Sequence, residues 1–319
     1  MEFIDRRNTI ELMNLLGLKR QAFLFGISFD LNNNFVIPAS ELAQSGVSFQ
    51  MPAASFINHK SSHLPDKLIF EKFPVEQQEF SESFSIVKKH LDFGNSYLVN
   101  LTKPTEIHTN LNFQQIFEHS KAPYKLLIDD KIVVFSPEIF IRAGKGRINS
   151  FPMKGTIDAS IPNAAEIILN DFKETAEHNT IVDLIRNDLS MISKNVIVKR
   201  FRYIDTIITH KKNLLQVSSE IEGQIGDGFF DNLGSNIFTI LPAGSISGAP
   251  KRKTVEIISE AEMYDRGLYT GVFGYFDGEY LDSAVMIRFM EKKDGKVYFK
   301  SGGGITTMSQ CKSEYDEMV

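Results

Sequence analysis

One cysteine, Cys311, occurs in 319 residues, and that scarcity excludes an internal disulfide framework. A lone cysteine so near the end is a poor nucleophile candidate, so a Cys-His glutaminase centre is not expected here. A reducing, cytoplasmic setting is the expected one. No run reaches the roughly 18 apolar residues that a membrane helix needs. The charged start, Met1 to Asn8, does not read as a signal peptide, and no membrane partner is expected. Lysines and arginines are spread along the chain and outnumbered, 35 against 40 acidic residues, for a formal net charge of -5. That leaves no electrostatic footprint for nucleic acid. Internal repeats and low-complexity segments are also missing.

What the chain has in quantity is core material. At 42% hydrophobic and 24% charged, it has ample material for a core, and 319 residues suit one large domain or two ordinary ones; the resemblance described below favours one compact domain spanning residues 1–319. The most informative stretch runs from Asp171 to Ser190. Ile181, Val182, Leu184, Ile185 and Leu189 recur at three- and four-residue intervals, which on a helix makes one buried stripe. Glu174 and Glu177 stand three apart and would be neighbours on that helix, repelling unless a cation or donor lies between them. Glu314 and Glu317 repeat the spacing at the far end of the chain. Two such pairs brought face to face offer the all-oxygen surroundings that Mg²⁺ prefers.

The rest alternates strand and helix signals and predicts a mixed α/β body. Residues 3–20 read as a helix with Leu12, Leu15, Leu16 and Leu18 on its apolar side, and 21–29 as a buried strand. Helices are expected at 81–92, 113–119 and 251–261. Strands are expected at 96–101, 124–129, 131–135, 138–143, 196–209 and 214–222, with loops and short strands over 44–74. Arg266 to Tyr275 reads as a strand broken by glycines, and Asp282 to Met290 as one strand carrying Arg288, which needs an anionic partner. Ser301-Gly-Gly-Gly-Ile-Thr306 reads as a turn whose amides could form an anion nest. The stretch 241–253 lacks the Gly-Lys-Ser/Thr order of a phosphate loop, so nucleotide binding is rejected.

Several of these segments together carry a resemblance. Pro152-Met-Lys-Gly-Thr156, Glu174-Thr-Ala-Glu-His178 with Asp183-Leu-Ile-Arg-Asn-Asp188, and Leu241-Pro-Ala-Gly-Ser-Ile-Ser-Gly-Ala-Pro-Lys251 come first. Arg266-Gly-Leu-Tyr-Thr-Gly271 and Ser301-Gly-Gly-Gly-Ile305 ahead of Glu314-Tyr-Asp-Glu317 complete the set. In this order they resemble the chorismate-utilising enzymes, a family holding anthranilate synthase and aminodeoxychorismate synthase components together with isochorismate and salicylate synthases. The likeness covers residues 93–319 as a catalytic core, with a shortened amino-terminal region over 1–80.

The resemblance implies two large, mostly antiparallel sheets packed together with helices outside. It also implies a Mg²⁺ site formed by Glu174, Glu177, Glu314 and Glu317. Lys154 would be a covalent nucleophile and Glu138 a general acid. Gly155, Thr156, Gln216, Ser247, Thr270, Tyr275, Arg288, Gly302, Gly303 and Gly304 would contact chorismate. Gln216 stands where relatives commonly have a histidine. Leu98 stands where water-using relatives carry a lysine base, which points away from isochorismate formation. Pro-x-Lys-Gly-Thr resembles the aminodeoxychorismate synthases, with ammonia supplied by a separate glutamine amidotransferase subunit. An anthranilate synthase component and a weakly active chorismate-binding subunit are the alternatives.

Overall fold

The computed structural model describes residues 2–60, 62–208 and 212–319. Two nine-stranded sheets dominate it, and every pairing within them is antiparallel. The first runs, in spatial order, through Met153–Asp158, Asn213–Gln224, Arg147–Ser150, Ile139–Gly144, Leu281–Val285, Val272–Phe276, Phe23–Ile27 and Phe35–Pro38, with Lys194–Ile208 also paired to Asn213–Gln224. The second runs through Gly248–Ala249, Leu98–Thr109, Lys296–Ile305, Phe289–Lys293, Ile132–Ser136, Tyr124–Ile128, Val47–Gln50 and Ser55–Phe56, with Phe70–Phe73 added beside Leu98–Thr109. This is the expected mixed α/β architecture of two large antiparallel sheets with helices.

The strand Phe23–Ile27 shows why the layers pack. All five residues are buried, because alternate side chains leave opposite faces and both faces are covered. Phe23, Phe25 and Ile27 join a cluster with Met13, Ile237 and Phe238 from overlying helices, while Leu24 joins Phe49, Val134 and Phe289 in a second cluster. Helices Gln77–Asp92 and Lys251–Glu262 cover the second sheet with Phe80, Val87, Ile257 and Ile258. The helix Phe172–Ile192 buries Ile181, Val182 and Leu189 of its expected stripe.

Four expectations need correction. The first helix spans Arg6–Leu18 and buries Thr9, Met13, Leu16 and Gly17, leaving Leu15 and Leu18 exposed. The face it shows is set by packing on the helix Leu233–Ile240, where Gly234 admits the backbone of Ile10. Arg266–Gly271 is turn rather than strand, which begins only at Val272. Asp282 to Met290 is two strands in different sheets, Leu281–Val285 and Phe289–Lys293, with Arg288 at their junction in the left-handed region at φ 52°. The triglycine segment is strand, not turn: Lys296–Ile305 stays in register with Leu98–Thr109 from Val297↔Ile107 to Ile305↔Val99. The expected strand 196–209 is observed as Lys194–Ile208, and Thr209 lies outside the described residues.

Candidate active site

The chain changes sheets twice within a short distance. Pro137 and Glu138 link Ile132–Ser136 of the second sheet to Ile139–Gly144 of the first, and Met286 to Arg288 link Leu281–Val285 back to Phe289–Lys293. The two crossings are tied together, since Val285 N donates to Glu138 O at 3.0 Å and Phe135 N to Arg288 O at 3.2 Å. A cleft of about 610 Å³ opens at this seam, within the size range of small-molecule sites. Glu138 and Arg288 therefore reach it because both sit where the backbone passes between layers.

Glu138 accepts a short hydrogen bond from Ser245 Oγ. Burial pushes its carboxyl above the ordinary range, opposed by Ser245 and by the charge of Lys154. Lys154 projects from the edge strand Met153–Asp158, whose register slips between Lys154 and Thr156. Gly155 occupies that bulge at φ 77°, a conformation few other residues adopt cheaply. The slip brings Lys154 Nζ to 3.9 Å from Glu177 Oε2.

Glu174 and Glu177 lie in the opening turns of Phe172–Ile192, capped by Asp171, which accepts from Glu174 N at 2.8 Å. Glu314 and Glu317 come from the helix Cys311–Met318, and all four glutamates line the cleft. Burial raises Glu177 to about 7, with Lys154 opposing and Glu174 adding to the rise. Its Oε1 has no hydrogen-bond partner among the described residues. Lys173 Nζ stands 2.9 Å from Glu314 Oε1 and 3.8 Å from Glu177 Oε1, so an ammonium balances the carboxylates. No three acidic, histidine or cysteine groups among the described residues are gathered closely enough to enclose a metal as they stand. The donor set nevertheless fits a hard divalent cation: four carboxylates from two helices in one cleft, with an orphaned oxygen and a raised carboxyl.

The opposite wall is the triglycine strand. Pairing with Phe289–Lys293 ends at Phe289↔Lys300, so beyond Ser301 that edge has no strand neighbour among the described residues and its amides remain available. A Cβ on Gly304 would stand 3.4 Å from both Lys154 Nζ and Glu177 Oε2, and 2.9 Å from Leu98 Cδ1. Leu98 is thus buried directly behind the corner where lysine and glutamate meet. Arg288 carries no ion pair among the described residues, and burial alone lowers its pKa.

Of the residues singled out from sequence, Glu138, Lys154, Gly155, Thr156, Thr270, Arg288 and Gly302 to Gly304 line the cleft with the four glutamates. Three do not. Tyr275 is on the strand Val272–Phe276, where alternation turns it toward Phe49, 5.2 Å between ring centres, in the inter-sheet core. Ser247 is fully buried and donates to Ala243 O at 2.9 Å, closing its own short helix while Ser245 and Ile246 face the cleft. Gln216 sits half-buried on the middle strand opposite Thr156 and Asp205, because the bulge sets Val217 opposite Lys154. Sequence reasoning missed Tyr269, Lys300, Lys173 and Ser245. Tyr269 lay inside the Arg266–Gly271 motif, and Lys173 adjoined Glu174. Lys300 had no signal of its own: its ammonium is held by Glu291 at 2.9 Å and Arg266 O at 3.0 Å.

The profile of the chorismate binding enzyme family matches residues 31–319. The chain belongs to that family. It is 46% identical over 312 residues to an uncharacterised PabA-like protein of Pasteurella multocida, covering 97% of this chain and 96% of that one. It is 33% identical to an anthranilate synthase component 1 of Acetivibrio thermocellus and 31% identical to the aminodeoxychorismate synthase component 1 of Bacillus subtilis, over 76% of this chain in each case. It spans about half the length of these two synthase components, 51% and 54%. In fold it matches the menaquinone-specific isochorismate synthase of Escherichia coli with a TM-score of 0.77, at 14% identity, over 100% of this chain and 81% of that one.

Proposed function

We propose that this chorismate-binding enzyme is an aminodeoxychorismate synthase component I, which replaces the C4 hydroxyl of chorismate with ammonia and leaves the enolpyruvyl group in place. The observation that carries this reading is Lys154, whose amine enters the cleft beside Glu177, in the same cleft as Glu138. Anthranilate synthase components match about equally well, so the distinction rests on Lys154 rather than on overall likeness. Leu98 supports the choice against water-adding relatives, since a buried hydrocarbon cannot deprotonate water.

In this mechanism Arg288 and those amides among Gly302 to Gly304 that face away from Leu98–Thr109 receive the enolpyruvyl carboxylate. The ring carboxylate is directed toward the four glutamates. Glu177 and Glu317 would hold Mg²⁺, with Glu174 and Glu314 in support. When bound, the ion supplies the positive charge that fixes and polarises the ring carboxylate. Lys154 acts as the free amine, its ammonium proton having gone to solvent in the open cleft, and attacks C2 as Glu138 gives its proton to the departing C4 hydroxyl, which leaves as water. Burial suits Glu138 to that role by raising the pKa of its carboxyl. Ammonia then adds at C4 and expels Lys154, and the extra proton returns to Glu138. The ammonia would come from a separate glutamine amidotransferase subunit, since the one cysteine, Cys311, packs beside Ser81 away from the cleft. A cytoplasmic location goes with this reading.

Substituting Lys154 tests it. Lys154→Ala should lower aminated product formation by about 10² or more with an unchanged melting temperature. Full activity in that variant would remove the nucleophile and the reading with it.

A further inference from the structure

Behind Glu138 lies a second, smaller space of about 20 Å³, enough for one water molecule, which needs roughly 10–15 Å³ and two to four polar partners. Glu138 and Ser245 line both this cavity and the open cleft. Asp188 lines the cavity too, from the helix Phe172–Ile192, and Phe140, Leu189 and Val285 supply apolar walls. Asp188 is 7% exposed, and its Oδ2 lies 2.5 Å from Lys251 Nζ, which also donates to Ile240 O at 2.6 Å. Glu138 Oε2 and Asp188 Oδ1 have no hydrogen-bond partner among the described residues. Gly244 also lines the space, and a Cβ there would press on Leu184 at 2.7 Å and reach 3.5 Å from Asp188 Oδ2.

We infer that a single enclosed water links Glu138 to the buried Asp188–Lys251 pair, and that this pair lends Glu138 a proton during turnover. The inference rests on the reading of Glu138 as the acid. When the C4–O bond breaks, Glu138 loses its proton to the leaving oxygen and becomes a carboxylate. The Lys251 ammonium gives a proton to the Asp188 carboxylate, the carboxyl so formed gives one to the cavity water, and the water gives one to Glu138. Glu138 is then neutral and Lys251 an amine. When entering ammonia sheds its proton to the site, the transfers run backward and no net proton is stored. Burial favours each step, holding Asp188 up at about 6 and Lys251 below its usual range. The charged groups acting on the path are Lys154 at Glu138 and Lys251 at Asp188.

Two variants of the full chain test this, assayed with chorismate, Mg²⁺ and ammonium: Asp188→Asn, which removes the acid, and Ala243→Val, which fills the cavity and keeps the ion pair. Both should lower kcat about tenfold or more with KM within twofold. In both, the high-pH limb should shift to lower pH and the solvent isotope effect on kcat should rise. A folded variant of either kind with the wild-type pH limb and isotope effect overturns the relay, as does a lowered melting temperature with no kinetic change. If Asp188→Asn does not fold, Ala243→Val alone decides. Product identity is read in the same assays and bears on the proposed function separately, because any product lacking the C4 hydroxyl requires the same proton delivery.

Discussion

Glu177 shows how much one side chain can say about what a site would accept. A carboxylate with one oxygen lacking a hydrogen bond, flanked by Glu174 and Glu314, is costly in its charged form, and its pKa is raised to about 7 by burial first. A carboxyl raised in the folded state stabilises the protein below its ordinary pKa near 4.5 and loses that contribution as pH rises through about 7. A divalent cation competes with this proton, so Mg²⁺ should bind weakly at pH 6 and more tightly at pH 8, read by isothermal titration calorimetry. Glu177→Gln should lower the affinity about tenfold or more at pH 8, and unchanged affinity would remove the glutamates as ligands. At this scale the sequence was legible where a motif fixed the spacing, as at Glu174, Glu177 and Lys154. It misled at Tyr275 because two tyrosines stand six apart and only the fold shows that Tyr269 meets the cleft.

Among elements, the triglycine strand was the hardest to read. Three glycines suggest a turn, yet here they allow close approach in a paired strand: a Cβ on Gly302 would lie 2.2 Å from Leu101 O. Gly302→Ala should therefore destabilise the protein by about 1–3 kcal/mol, measured by chemical denaturation. Gly304→Ala meets softer neighbours, Leu98 Cδ1 and Lys154 Nζ, and should raise KM for chorismate more than it lowers stability. Equal stability losses in the two would contradict the assignment of different roles. The break within Asp282–Met290 was illegible for a related reason. Its apolar pattern is continuous, and only the passage between sheets, at Arg288, interrupts it. By contrast, the helices at 113–119 and 251–262 stand within a residue of where their periodicity put them.

Across the whole molecule, a buried ion pair joins the second sheet to the helix and turn that border the site. Glu262 accepts from Thr102 N at 2.7 Å and from Arg266 Nη2 at 2.5 Å, and Arg266 reaches Asn100 O, Ile246 O and Thr270 Oγ1. Asn100, Ile246 and Thr270 all line the cleft. Glu262→Ala leaves a fully buried guanidinium without its partner and should cost about 3–5 kcal/mol in unfolding free energy. A loss below about 1 kcal/mol would show that water enters and replaces the carboxylate. Such long-range coupling, between residues 102, 262 and 266, leaves no periodic trace in a sequence, which is why the two-sheet arrangement came from resemblance and not from pattern.

Mass spectrometry after incubation with chorismate, Mg²⁺ and ammonium should show an amino-substituted chorismate that keeps its enolpyruvyl group and yields p-aminobenzoate only after a lyase is added. Anthranilate with free pyruvate would contradict amination at C4 and make Lys154 a bystander.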